Sequence, residues 1–99
     1  LLEDNVPKEL LQQFFDHVLG ELYAYDKENN TALIETLESY LFNKYNATEA
    51  AKAMYIHRNT FFYRIEKIKT LLHSDLSTSE ELFRYTFALK VAKLLGLHT

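Results

Sequence analysis

With 99 residues, 47% of them apolar and 25% charged, the chain has enough material for one modest core and not for two domains. Two Gly and one Pro leave little for a turn-rich β protein, and the lack of Cys excludes disulfides, thiolate metal sites and a cysteine nucleophile. A formal net charge of −3 excludes a uniformly basic polyanion binder, so any nucleic-acid surface has to be local.

Every long segment is rich in Leu, Ala, Glu and Lys, so an all-α domain of five helices spanning residues 1–99 is expected. Pro7 suits a first helical turn, after which Leu10, Leu11, Phe14, Phe15, Val18 and Leu22 recur in steps that make one apolar stripe. Gly20 is expected to end or bend this helix, and AYDKENN, residues 24–30, to form a polar connector. Asn30 or Thr31 would cap a second helix that buries Leu33, Ile34, Leu37 and Leu41, with Phe42 and Tyr45 near its end. NATE, residues 46–49, has capping-box spacing and opens a short helix whose inner face is Ala50, Ala51 and Met54. A fourth stripe runs Phe61, Ile65, Ile68, Leu72, and HSDLSTS is a loop in which Ser77 and Glu80 repeat the capping-box spacing. ELFRYTFALKVAKLL then forms a helix ending at Gly96. It is apolar around much of its circumference, so it is either central or shared with a partner chain.

Charge is unevenly distributed. Residues 1–49 hold three Lys against ten acidic residues, whereas residues 50–72 hold Lys52, Arg58, Arg64, Lys67 and Lys69 against Glu66 alone. Salt screens charges beyond about 8–10 Å, so the acidic half does not cancel this basic segment. The same segment has helix-turn-helix spacing over residues 47–66. Ala51 is the small residue at which the two helices cross, Ile56 the aliphatic after the turn, and Phe61 the residue planted back into the first helix. Tyr55 occupies the turn position that favours a left-handed backbone, where Gly is common.

On a helical wheel Phe61, Ile65, Ile68 and Leu72 face inward while Asn59, Tyr63, Glu66 and Thr70 face outward. Double-stranded DNA is therefore the expected partner, contacted through residues 46–70. His57, Arg58, Asn59, Phe62 and Tyr63 are candidate base readers, because Arg matches guanine, Asn matches adenine and an aromatic edge meets a thymine methyl. Thr48 is placed to reach a phosphate with backbone N–H groups, and Lys52, Lys67 and Lys69 supply sequence-blind attraction. Each has a plainer role beside this one. Asn59 suits a helix start, His57 a turn bond to backbone, Phe62 a protein contact and the lysines solvation, while Arg64 has Glu35 or Glu38 as ion-pair partners.

TL-x-x-YL at Thr36-Leu37 and Tyr40-Leu41, Ala50-Ala51, and HRNT-x-x-YR at residues 57–64 resemble the C-terminal helix-turn-helix of PucR/CdaR-type regulators, named for purine catabolism and sugar-diacid use. Leu19-Gly20-Glu21-Leu22 and Tyr25-Asp26 match an upstream segment of that pattern, Thr60 falls within HRNT, and the last helix matches more loosely. The resemblance implies a DNA-binding output domain in a longer regulator whose sensory region lies N-terminal, with no one shared ligand. The chain opening on Leu1 and the polar Glu3-Asp4-Asn5 fits a C-terminal fragment. A homodimer is expected from half-site geometry, in a cytoplasmic setting with no membrane span and no cofactor. His17, His73 and His98 are scattered without ligand spacing, so neither a metal nor enzymatic activity is expected. The competing function is a helical interaction or dimerisation module that does not itself touch DNA.

Overall fold

The computed structural model describes residues 6–97 and contains five helices, with no strand among the described residues. They are α1 (Lys8–Asn29), α2 (Leu33–Phe42), α3 (Ala47–Ala53), α4 (Arg58–Leu72) and α5 (Ser79–Leu94). Leu1 to Asn5 and His98 lie outside the described residues. The long helices α1 and α5 lie along one another, and α2, α3 and α4 pack together against them. Phe15, Leu19, Leu22, Leu37, Phe61, Ile68 and Val91 are enclosed at the centre.

The first helix corrects two expectations. It continues without a break through Gly20 and takes in AYDKEN before ending at Asn29. A mid-helix Gly costs roughly 1 kcal/mol relative to Ala, whereas full burial of one Leu yields about 1.5–3 kcal/mol. Leu19 and Leu22, on either side of the glycine, are both fully buried, so packing wins. The inward stripe is Leu11, Phe15, Leu19 and Leu22, and Leu10 stays outside it at 56% exposure.

The start of α2 is a third correction. Its N-cap position is Ala32, which has no side-chain acceptor to offer. Asp26, still inside α1 and itself buried, accepts from the N–H groups of Leu33 at 2.8 Å and Ile34 at 2.9 Å, and from the Thr31 hydroxyl. One carboxylate thus satisfies two orphan donors and faces the positive end of the α2 dipole. Asn30, expected as a cap, closes α1 instead in a left-handed conformation.

All five helices stop the same way. Asn30, Lys44, Tyr55, His73 and Gly96 have φ of 53°, 55°, 58°, 53° and 73°. The residue after each returns its N–H to a carbonyl five positions back: Thr31 to Asp26, Tyr45 to Tyr40, Ile56 to Ala51, Ser74 to Lys69 and Leu97 to Ala92. Only one of the five is glycine.

At the helix starts, Asn46 accepts from the Glu49 N–H at 3.0 Å as NATE predicts, while its own N–H goes to the Asn43 carbonyl. The α5 cap lies one residue later than predicted. Thr78, not Ser77, accepts from the Glu81 N–H at 3.1 Å, and the Thr78 and Ser74 hydroxyls donate to the Glu81 carboxylate. These donations, Ser74 first at 2.6 Å, hold the Glu81 carboxyl below the usual carboxylate range. Along α5, Leu82, Tyr85, Ala88, Leu89 and Val91 are buried while Phe83, Phe87 and Leu94 point outward, so only one side of this helix is enclosed.

Candidate nucleic-acid interface

Helices α3 and α4 cross where side chains are smallest. Ala50 and Ala51 are buried there, and Phe61, at 0% exposure, inserts beneath them. Removing a ring so enclosed costs about 3–5 kcal/mol. α2 braces the pair from behind: the Ser39 hydroxyl donates to the Ala50 carbonyl at 3.0 Å, and Tyr40 lies 6.2 Å from the Phe61 ring. Ile56 is half-buried under the turn. Tyr55 is left-handed, as its motif position predicts, with its N–H on the Lys52 carbonyl at 3.0 Å and its ring 95% exposed. Spacing identified the conformation but gave no sign that the ring packs on nothing.

The predicted readers lie at the exposed start of α4. His57 is the N-cap, its Nδ1 accepting from the Asn59 N–H at 3.0 Å, which turns its Nε2 edge away from the helix. Asn59 is therefore not the cap, and its side chain is exposed. Arg58 lays its guanidinium over the Phe62 ring, 5.3 Å from the centroid, so these two form one cationic and aromatic unit. Tyr63 is 74% exposed, and Thr60 is exposed as well. On the short α3, Thr48 and Lys52 are exposed, Lys52 lying 3.8 Å from Glu49.

The basic residues further along α4 already have partners. Lys69 pairs with Glu66 at 3.2 Å, and Lys67 places its ammonium 5.0 Å from the Tyr25 ring centroid, tying α4 to α1. Arg64 donates to the Thr36 hydroxyl at 3.4 Å, while Glu38, one expected partner, pairs with Lys93. Thr36 is itself fully buried and donates to the Ala32 carbonyl at 2.7 Å. The TL and YR strings, far apart in sequence, are therefore one contact between α2 and α4. Sequence reasoning put Arg64 on α2 but on Glu35 or Glu38 instead of Thr36, and it missed the role of Asp26, because both depend on which helices become neighbours.

Among the described residues no group of three or more His, Asp or Glu is arranged to hold a metal ion, and no helix is long and apolar enough to cross a membrane. What α4 presents outward is a cap imidazole, an amide, a stacked guanidinium and a phenol within two turns. All are hydrogen-bonding or stacking groups.

The family model for the PucR C-terminal helix-turn-helix domain matches residues 33–91, which takes in α2, α3, α4 and most of α5. The purine catabolism regulatory protein of Bacillus subtilis (strain 168) is 36% identical over 91 residues, covering 92% of this chain and 17% of that protein. The proline-responsive transcriptional activator PutR of the same organism is 38% identical over 76 residues, covering 77% and 18%. The transcriptional activator PmfR of Paenarthrobacter nicotinovorans is 38% identical over 71 residues, covering 72% and 15%. The chain thus spans less than a fifth of the length of each of these relatives. No solved structure gives a significant match.

Proposed function

Because the chain belongs to the family of PucR C-terminal helix-turn-helix domains, DNA-binding parts of transcription regulators, we propose that it reads double-stranded DNA by setting the start of α4 in the major groove. The observation that carries this is the division of α4 into two sides: Phe61, Ile65 and Ile68 are buried, while His57, Arg58, Asn59, Phe62 and Tyr63 are all exposed. Asn59 and Arg58 discriminate bases, each bidentate contact supplying on the order of 1–3 kcal/mol. His57 reads through Nε2, Phe62 and Tyr63 contact base edges or sugar, and Thr60 and Thr48 reach backbone oxygens. Lys52, Lys67 and Lys69 attract phosphates, Lys67 and Lys69 after exchanging their present partners. The domain works as the output end of a longer cytoplasmic regulator whose sensory region precedes it, and it acts as a homodimer. Two recognition helices then sit about 34 Å apart to enter successive major grooves.

Titration of the chain against duplexes recovered from a random-sequence selection, repeated at several salt concentrations, tests the proposal. Affinity should fall linearly in log salt. Asn59→Ala should flatten base preference at one position, while Lys52→Ala should weaken all duplexes alike and lower the salt slope by about one. The absence of salt-dependent binding to any duplex would favour a purely protein-binding module. Identical behaviour of the two variants would refute the division into readers and anchors.

A further inference from the structure

One side of α5 is left largely uncovered by the described chain, with only Phe14 of α1 reaching it. Glu80, Phe83, Phe87, Lys90 and Leu94 alternate in steps of three and four residues, so they form a single stripe, and every one of them is exposed. Phe83 is 71% exposed and Phe87 38%, and their rings lie parallel with centroids 6.3 Å apart. Phe14 of α1 meets Phe87 edge-on at 5.3 Å and widens the apolar area. The core is made by the other side of the helix; Phe87 also packs on Phe14, whereas Phe83 touches the fold least.

The charge order along the stripe identifies its occupant. An acid and a base flank the two Phe residues at equal distances from the level of Tyr85. A second α5 laid antiparallel about a two-fold axis at that level brings Phe83 opposite Phe87 of the other copy, and Glu80 opposite Lys90, each twice. A parallel arrangement would instead set Glu80 against Glu80 and Lys90 against Lys90, which like-charge repulsion disfavours. Self-complementarity of this kind is what a closed two-fold interface requires. We propose that the Glu80–Leu94 stripe is a self-association surface on which α5 pairs antiparallel with α5 of a second copy of this chain. The proposal names the contact for the dimer in the functional reading above, and it rests on that reading only for the use made of the dimer.

Sedimentation equilibrium of the 99-residue chain without DNA, from micromolar to millimolar concentration, tests it. A monomer–dimer equilibrium is expected, with Phe83→Asp weakening it roughly thirtyfold or more, as loss of a central aromatic anchor does. A circular-dichroism melt of Phe83→Asp checks that the variant keeps the fold. Glu80→Lys and Lys90→Glu should each weaken the dimer, and the two together should restore it towards the wild-type value. A chain that stays monomeric throughout overturns the proposal, as does a dimer indifferent to Phe83→Asp or a double variant no better than the singles. Affinity for a duplex carrying one half-site is measured alongside. Failure there refutes the DNA-binding reading and leaves the self-association result standing.

Discussion

Replacing Tyr55 with Gly measures what a left-handed helix end costs this domain. Tyr55 sits at φ 58° with both closing hydrogen bonds made, its own N–H to Lys52 at 3.0 Å and that of Ile56 to Ala51 at 3.1 Å. Its side chain is 95% exposed, so substitution removes almost no packing. A non-glycine residue pays about 1–2 kcal/mol in this conformation, and glycine gives back roughly 0.5–1 kcal/mol through greater freedom in the unfolded chain. Tyr55→Gly should therefore stabilise the fold by about 0.5–1 kcal/mol, raising the melting midpoint by roughly 2–8 °C for a domain of this size. Tyr55→Ala is the control: it keeps the backbone penalty and should leave stability nearly unchanged. Urea and thermal melts of the three proteins decide the matter, provided the urea m-value does not move. If Gly and Ala behave alike, or Gly destabilises, the argument from backbone strain fails. Gly96 is the mirror case. Its φ is 73° and a Cβ there would meet nothing within 4 Å, so Gly96→Ala should lose about 1 kcal/mol from the backbone alone.

Three further outcomes are expected. Asp26→Ala leaves the Leu33 and Ile34 N–H groups without their acceptor and should cost roughly 3 kcal/mol in urea denaturation, with Asp26→Asn losing less because one acceptor oxygen remains. Gly20→Ala should stabilise by about 0.5–1 kcal/mol, since the added Cβ meets only the Asp16 side chain, at 3.5 Å; a loss in the thermal melt would mean that α1 needs the glycine for a reason other than space. Glu81 has a folded pKa below its unfolded one, so its contribution is present above the ordinary carboxylate value of 4.5 and disappears as pH falls through the depressed folded value. The stability gap between wild type and Glu81→Gln should therefore be widest near neutrality and close in acid, and a gap independent of pH would exclude the assigned hydroxyl donations as its cause.

The parts of this fold legible in the sequence are those decided within a few residues. The NATE cap at Asn46, the left-handed turn at Tyr55 and the inward stripe of Phe61, Ile65 and Ile68 all follow from spacing alone. Gly20 misled because its local penalty is real but smaller than the burial of its neighbours. The start of α2 was unreadable because its cap comes from the preceding helix, and only the angle between α1 and α2 brings Asp26 there. At α5, Ser77 and Thr78 both suit a cap, and the choice falls to the residue whose hydroxyl also meets the Glu81 carboxylate. At the α4 surface, spacing separated the outward residues from the buried ones. It offered a backbone bond as one role for His57, which the ring makes, but did not show that Arg58 rests on Phe62 or that Lys67 and Lys69 already have partners.

Tyr25 and Asp26 are consecutive residues near the far end of α1, and they hold different helices. The Tyr25 ring lies under the Lys67 ammonium of α4, and the Asp26 carboxylate seats the first turn of α2. Because the helix is unbroken at Gly20, α1 is a rod of 22 residues, about 33 Å long at 1.5 Å per residue. This rod is held along its length by α5 and at its far end by α2 and α4. One turn of α1 thus sets the positions of α2 and α4 at once, through a carboxylate on one and a ring on the other.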